Sequence, residues 1–374
     1  MEKTNRLQEL AHVFLKLGIT AFGGPAAHIA MMQQEVVTKR QWMTEEHFLD
    51  MIGATNLIPG PNSTEMAIHI GQDRAGWKGL VVAGLCFIGP AALVTLFFAW
   101  LYKQYGQLPE IKPFIYGIKP AIISVILAAI YPLAKKSLKT LQLWVIGITV
   151  LILSFFGINE IFLLFGAGLL AILLYLINKR NKAHSFVPIL LFHISDSNLI
   201  SSRNLHLFLA FLKIGAILYG SGYVLFAFLD AELVAKGLLS RQQLIDAIAV
   251  GQFTPGPVFS SVTFIGYQIN GFSGAVFSTV AIFLPSFVFV ALLHPLMRKM
   301  RSSSLLSSFL DAVNVASVAI IMVVCYEMAK DSIADWRTVI IAIGSLFFVF
   351  RFPKINSAII VLAGALLGYI LKMV

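Results

Sequence analysis

Two Pro-Gly-Pro triplets, Pro59-Gly60-Pro61 and Pro255-Gly256-Pro257, stand inside apolar stretches of this chain. Each triplet lacks two backbone donors and relaxes one residue, so no continuous helix passes through it. The second proline of each suits the first position of a new helix. The amides of Asn62, Ser63 and Thr64, and of Val258, Phe259 and Ser260, are then expected free at a positive helix end, which is the backbone chemistry of an anion site. Lys16 and Lys213 lie among Leu and Ile in apolar helices, where an ammonium is costly and marks a functional candidate, with snorkelling to the interface as the alternative. A few residues on, AFGGPAAH (Ala21 to His28) and LYGSGY (Leu218 to Tyr223) are Gly-rich interruptions that permit close backbone approach, or plain small-residue helix packing.

Acids and histidines are fewer. Glu65 and His69 share one helix face after the first triplet and are candidates for proton coupling, with a structural hydrogen bond as the alternative. The second half offers Thr263 in place of a carboxylate. Glu35 and Glu232 fall near loop ends and read as solvated or structural. Glu45-Glu46-His47 lacks metalloprotease spacing, and scattered Ser and His without an ordering acid are weak evidence for a hydrolase, so no metal, cofactor or catalytic nucleophile is expected. Cys86 and Cys325 sit in apolar runs and read as bulk, with no disulfide framework.

The elements that carry these residues must lie in a bilayer. Of the 374 residues 58% are hydrophobic and only 12% charged, and the mean hydropathy is +0.84. Soluble domains carry about 25% charged residues, so a water-soluble globule is excluded and an all-α polytopic membrane protein is predicted. The net charge of +10 comes from Lys and Arg in small groups between apolar runs. That pattern is a membrane-loop bias and not a nucleic-acid surface. The charged N-terminal stretch argues against a cleaved signal peptide.

The chain also repeats itself. FLKLG (Phe14 to Gly18) recurs as FLKIG (Phe211 to Gly215), followed in order by Glu35 and Glu232, Lys39 and Lys236, the two triplets, Gly76 and Gly271, Pro90 and Pro285, and Tyr131 and Tyr326. Two homologous halves, 1–182 and 203–374, are expected on either side of a polar cytoplasmic linker, 183–202. Each half should begin with a helix (Leu7 to Met32; Leu205 to Leu229), pass through the segment broken at Pro-Gly-Pro and end in plainer apolar helices. Basic residues cluster near Lys135 and Lys136 in the first half but near Arg298 and Arg351 in the second, at the opposite helix ends. The halves are therefore predicted to be inverted, each with about five spans plus one re-entrant segment and both termini outside.

FGGPAAHI, NLIPGPNSTEMAIHIG, a second Pro-Gly-Pro preceded by GQFT, and the two-half plan resemble the chromate ion transporter family in its long form of two fused domains. The resemblance covers essentially the whole chain. It implies export of chromate across the bacterial inner membrane, with some members linked to sulfate or other oxyanions; an anion channel is the alternative from a different class. The family motifs fall on Phe22, Gly23, Gly24, Pro25 and His28, and on Asn56, Pro59, Gly60, Pro61 and Glu65. In the second half they fall on Tyr219, Gly220, Ser221 and Gly222, without Pro or His, and on Gln252 ahead of Pro255, Gly256 and Pro257. The expected oxyanion site is Lys16, Gly23, Gly24, His28, Asn56, Pro59, Gly60, Pro61, Asn62 and Ser63 with Lys213, Gly220, Ser221, Gln252, Pro255, Gly256, Pro257 and Ser260. The expected partners are a chromate- or sulfate-like dianion and the lipid bilayer, with a homodimer as the assembly considered.

Overall fold

The computed structural model describes residues 2–22, 24–106, 108, 110–178, 203–219, 222, 224–293, 303–352 and 355–373, and every element in them is helical. The predicted linker 183–202 lies outside the described residues. The first half runs α1 (Glu2–Thr20), α2 (Pro25–Gln33) with a π-helical extension (Gln34–Lys39), α3 (Glu45–Thr55), α4 (Asn62–Tyr105), α5 (Lys112–Ser137), α6 (Leu141–Phe155) and α7 (Glu160–Asn178). The second half repeats that order as α8 (Arg203–Ile217), α9 (Val224–Leu229) with a π extension (Asp230–Val234), α10 (Arg241–Phe253), a 3-10 turn (Val258–Ser260) leading into α11 (Ser261–Leu293), then α12 (Ser304–Ser332), α13 (Trp336–Arg351) and α14 (Ser357–Met373). Among the described residues, five helices are long and apolar enough to cross a membrane: Asn62–Tyr105, Lys112–Ser137, Glu160–Ile177, Val258–Leu292 and Ser304–Ser332.

Local chemistry sets the helix starts. Thr44 caps α3 by accepting from the His47 amide, and Ser240 caps α10 in a reciprocal pair with Gln243. The first helix of each half, expected to be continuous, is broken. α1 stops at Thr20 and α2 restarts at Pro25, which has no amide to donate and would clash with the preceding turn. In the second half α8 stops at Ile217 without any proline.

α4 and α11 are each a hairpin of two helices. The turns are Ala75-Gly76 and Asn270-Gly271, and Gly76 (φ 62°, ψ −148°) and Gly271 (φ 61°, ψ −150°) share one left-handed geometry open to glycine. Beside the turns the two arms touch through backbone: a Cβ on Gly79 would overlap the Gly71 carbonyl oxygen, and one on Gly274 would overlap that of Gly266. Helices without bulky side chains approach this closely inside a membrane.

The halves interlock. The second arm of α4 packs on α11, with Gly84 against Phe287 and the Gln268 side chain donating to the Ala99 carbonyl at 3.0 Å. Ala99, far from the α4 turn, meets Gln268 beside the α11 turn, and Gly84, near the α4 turn, meets Phe287 far from the α11 turn, so the two second arms run antiparallel. α5 lies against α13 and α14, where Ser124 donates to the Ala342 carbonyl at 2.8 Å and Gly117 meets Gly364 and Gly368. The equivalent helix α12 lies against α6 and α7, so each half completes the other's core.

Candidate functional site

Both Pro-Gly-Pro triplets are buried where the halves meet. Gly60 (φ 134°) donates its amide to the Leu218 carbonyl at 2.7 Å, and Gly256 (φ 83°) donates to the Ala21 carbonyl at 2.7 Å. Ala21 and Leu218 are equivalent positions, the first residues after α1 and α8. Each triplet is therefore clasped by the broken first helix of the other half, and the carbonyls freed by the helix ends find their donors there. The fit is close: a Cβ on Gly256 would lie 2.9 Å from Ala91 Cβ, and one on Gly60 would lie 2.6 Å from Ser286 Oγ and overlap the Glu65 carboxyl.

Fewer amides are free than expected. The Pro61 carbonyl accepts from Thr64 at 2.7 Å and from Glu65 at 3.1 Å, and the Pro257 carbonyl accepts from Ser260 at 2.9 Å. Thr64 and Ser260 are thus corrected as amide donors to a ligand, because a tight first turn already uses them. Asn62, Ser63, Val258 and Phe259 keep the outermost positions. Around them, His28 Nδ1 lies 3.3 Å from Ser63 Oγ, and Asn62 donates to Asn56 Oδ1 at 2.7 Å. Thr95 donates to Ser260 Oγ at 3.3 Å, and Ser357 donates to Gln252 Oε1 at 3.4 Å. Glu65 is fully buried, accepts from Ser286 at 3.3 Å through Oε1, and has no hydrogen-bond partner at Oε2. His69 is buried one turn further along the same helix. Gly24 caps α2 in open space, while Gly23, Gly220 and Ser221 lie outside the described residues.

Both lysines already have partners. Lys16 Nζ lies 3.0 Å from Glu35 Oε1, which also binds Lys39 at 2.9 Å, and Lys213 lies 2.6 Å from Glu232, which binds Lys236 at 2.7 Å. The two lysine side chains are 49% and 31% exposed, and each ammonium already has a counter-ion. They bind the first helix to the π extension that follows, and neither is a free charge at the breaks. Hydrogen bonds from Lys39 and then Lys16 hold the Glu35 carboxyl below the usual range. Burial pushes Glu232 up, but Lys213 and Lys236 outweigh it and leave it lowered.

Other groups escaped the sequence reading. Ser286 and Thr95 reach the breaks from the opposite half, and Ser317 donates to the Tyr219 carbonyl at 3.2 Å. Lys119, Tyr102 and Asp246 gather at the α4, α5 and α10 contact: Tyr102 donates to Asp246 Oδ2 at 2.6 Å and Lys119 Nζ lies 3.7 Å from Oδ1. The signal for this cluster was an acid inside the apolar run LIDAIAV and a lysine inside another, YGIKPAII. Among the described residues no group of three or more His, Cys, Asp or Glu is placed to hold a metal.

The family model described as Chromate transporter matches the chain twice, at residues 8–172 and 205–369. A chromate transport protein of Cupriavidus metallidurans is 31% identical over 98% of this chain and 94% of its own. A probable chromate transport protein of Synechococcus elongatus is 29% identical over 97% and 95%, and an uncharacterized transporter of Methanocaldococcus jannaschii 28% over 99% and 96%. No solved structure matches. The family unit is thus present twice, its motif residues build both breaks, and its relatives align from end to end: this chain belongs to the chromate transporter family.

Proposed function

We propose that this protein is a secondary transporter of the bacterial inner membrane that exports chromate, binding the dianion between two halves of inverted topology, 1–182 and 203–374. The observation that carries the reading is the reciprocal clasp, in which each Pro-Gly-Pro is held by the other half's broken helix. Broken backbone at membrane depth is tolerated only in protein or against a wet cavity, and paired breaks in two repeats mark transporter sites. The antiparallel contact of α4 with α11 supports inversion. The site comprises the amides of Asn62 and Ser63, the side chains of His28 and Asn56, and, from the second half, Gln252 and the turn after Pro257.

Glu65 supplies the coupling. Its carboxyl packs on Gly60 at the start of α4, where a dianion on the Asn62 and Ser63 amides would face it. An ionised Glu65 repels that dianion and a protonated one does not. Binding is thereby linked to a proton, with His69 on the same face as its relay. Proteoliposome flux of labelled chromate and sulfate, with and without a pH gradient, tests the proposal. Gradient-dependent chromate flux that Glu65→Gln uncouples is the expected result. Conductance without coupling would make the protein a channel, and preferred sulfate flux would change the substrate.

A further inference from the structure

The two halves share one sequence plan but not one packing arrangement. α10 lies against α4, α5, α11, α12 and α14, whereas its equivalent α3 packs against α4. Asp246 on α10 is buried and its equivalent Asp50 on α3 is exposed; Gln252 is buried and its equivalent Asn56 is exposed. What holds α10 in place is a set of groups that the first half lacks. Lys119 of α5 donates to Gln242 and pairs with Asp246, the two charged side chains being 16% and 6% exposed. The position equivalent to Lys119 in α12 is Asn314, which carries no charge. Asp246 Oδ2 is used by Tyr102, while Oδ1 is buried with no hydrogen-bond partner.

We propose that Asp246 is a proton-binding site and that, with Lys119, it forms a latch closing the α10 end of the pathway. This inference rests on the transporter reading above. The proton adds to Oδ1, the carboxylate becomes a neutral acid, and Lys119 keeps its charge but loses its counter-ion. A buried pair that loses one charge is strongly destabilised, because the remaining ion is left uncompensated. α10 then swings away from α5 while keeping its contact with α11, as α3 keeps its contact with α4, and a dianion entering from that end can take the freed ammonium. Among the described residues, the charged groups at the mouth of α10 are Arg241 with Asp230, Asp331 and Glu327, and Glu327 also pairs with Lys330.

Hydrogen exchange on the purified full-length protein tests the latch without reference to any substrate. In Asp246→Asn, a mimic of the protonated form, α10 amides should exchange about tenfold faster than in the wild type, with α3 unchanged. Wild-type α10 should loosen in the same way, after correction for intrinsic rates, between about pH 8 and about pH 5. Asp246→Glu should restore slow exchange and Lys119→Met should not. Equal α10 exchange in wild type and Asp246→Asn overturns the proposal. So does faster exchange in every helix of Asp246→Asn and Asp246→Glu alike. In proteoliposomes, Asp246→Asn should weaken but not abolish the response of oxyanion flux to a pH gradient, because Glu65 is still in place, and Asp246→Glu should keep it in full. Absence of flux in the wild type would remove the transporter reading, and the exchange result would still decide the latch.

Discussion

Replacing Gly60 by Ala probes the first break most directly, because two separate costs can be worked from the geometry. At φ 134° an L-residue is strained, by about 1 to 3 kcal/mol. The added methyl would also lie 2.6 Å from Ser286 Oγ and overlap the Glu65 carboxyl, which is fully buried and has little room to retreat. Overpacking of this kind costs about 1 to 3 kcal/mol, so the total is about 2 to 6 kcal/mol. Gly24→Ala is the control: its φ is −82° and nothing lies within 4 Å of a new Cβ. It should cost at most about 1 kcal/mol, as a slightly poorer helix cap. Both glycines belong to the motifs that mark the family, so a motif-based reading ranks them alike and the structure does not. The assay is the unfolding free energy in mixed micelles of Gly60→Ala, Glu65→Ala and the double variant. Trimming Glu65 relieves its own overlap but neither the Ser286 contact nor the backbone strain, so the cycle should show a coupling of about 1 to 2 kcal/mol. A Gly60→Ala cost no larger than that of Gly24→Ala, or strict additivity in the cycle, would refute the reasoning.

Four further outcomes are expected. Pro59→Ala combined with Pro61→Ala should let helix propagate and engage the Asn62 and Ser63 amides; losing two charge-assisted bonds at about 1.5 to 3 kcal/mol each lowers oxyanion affinity by roughly two to four decades. Measured binding of chromate to purified protein checks this, and unchanged affinity would place the anion elsewhere. Lys16→Met should cost at most about 1 kcal/mol, since its ammonium is half exposed, and leave chromate affinity intact. Because Glu35 titrates below its ordinary value in the folded protein, its contribution is fully present above that ordinary value. It is lost as pH falls through the lowered one, so Glu35→Gln should flatten the acid limb of a melting-temperature profile. Cysteines at Trp77 and Phe272, exposed residues just past the equivalent hairpin turns, should be labelled from opposite sides of the membrane, whereas labelling from one side would contradict inversion.

The Lys-Glu-Lys triads show where reading the sequence stops. Lys16, Glu35 and Lys39 recur in order as Lys213, Glu232 and Lys236, so their repetition was visible. Their meeting was not, because it depends on the break between α1 and α2, which a reading of Leu7 to Met32 as one continuous helix had hidden. The Pro-Gly-Pro breaks were legible for the opposite reason: missing donors and a fixed proline φ act within a few residues whatever the surroundings. The same holds for Gly76 and Gly271, whose recurrence marked a shared feature, although the hairpins they turn appeared only in the fold.

Composition alone determined that this chain is a helical membrane protein, since a bilayer leaves backbone polar groups no partners outside the chain. Internal repetition determined that it has two equivalent halves, and local backbone chemistry determined the break at each Pro-Gly-Pro. Only the tertiary structure decided what each break touches. Gly60 bonds to Leu218 and Gly256 to Ala21, Glu65 meets Ser286, and Lys119 meets Asp246 across the two halves. Partners so far apart in the chain leave no periodic or compositional trace in it, because what brings them together is the packing of whole helices and not the preference of any residue.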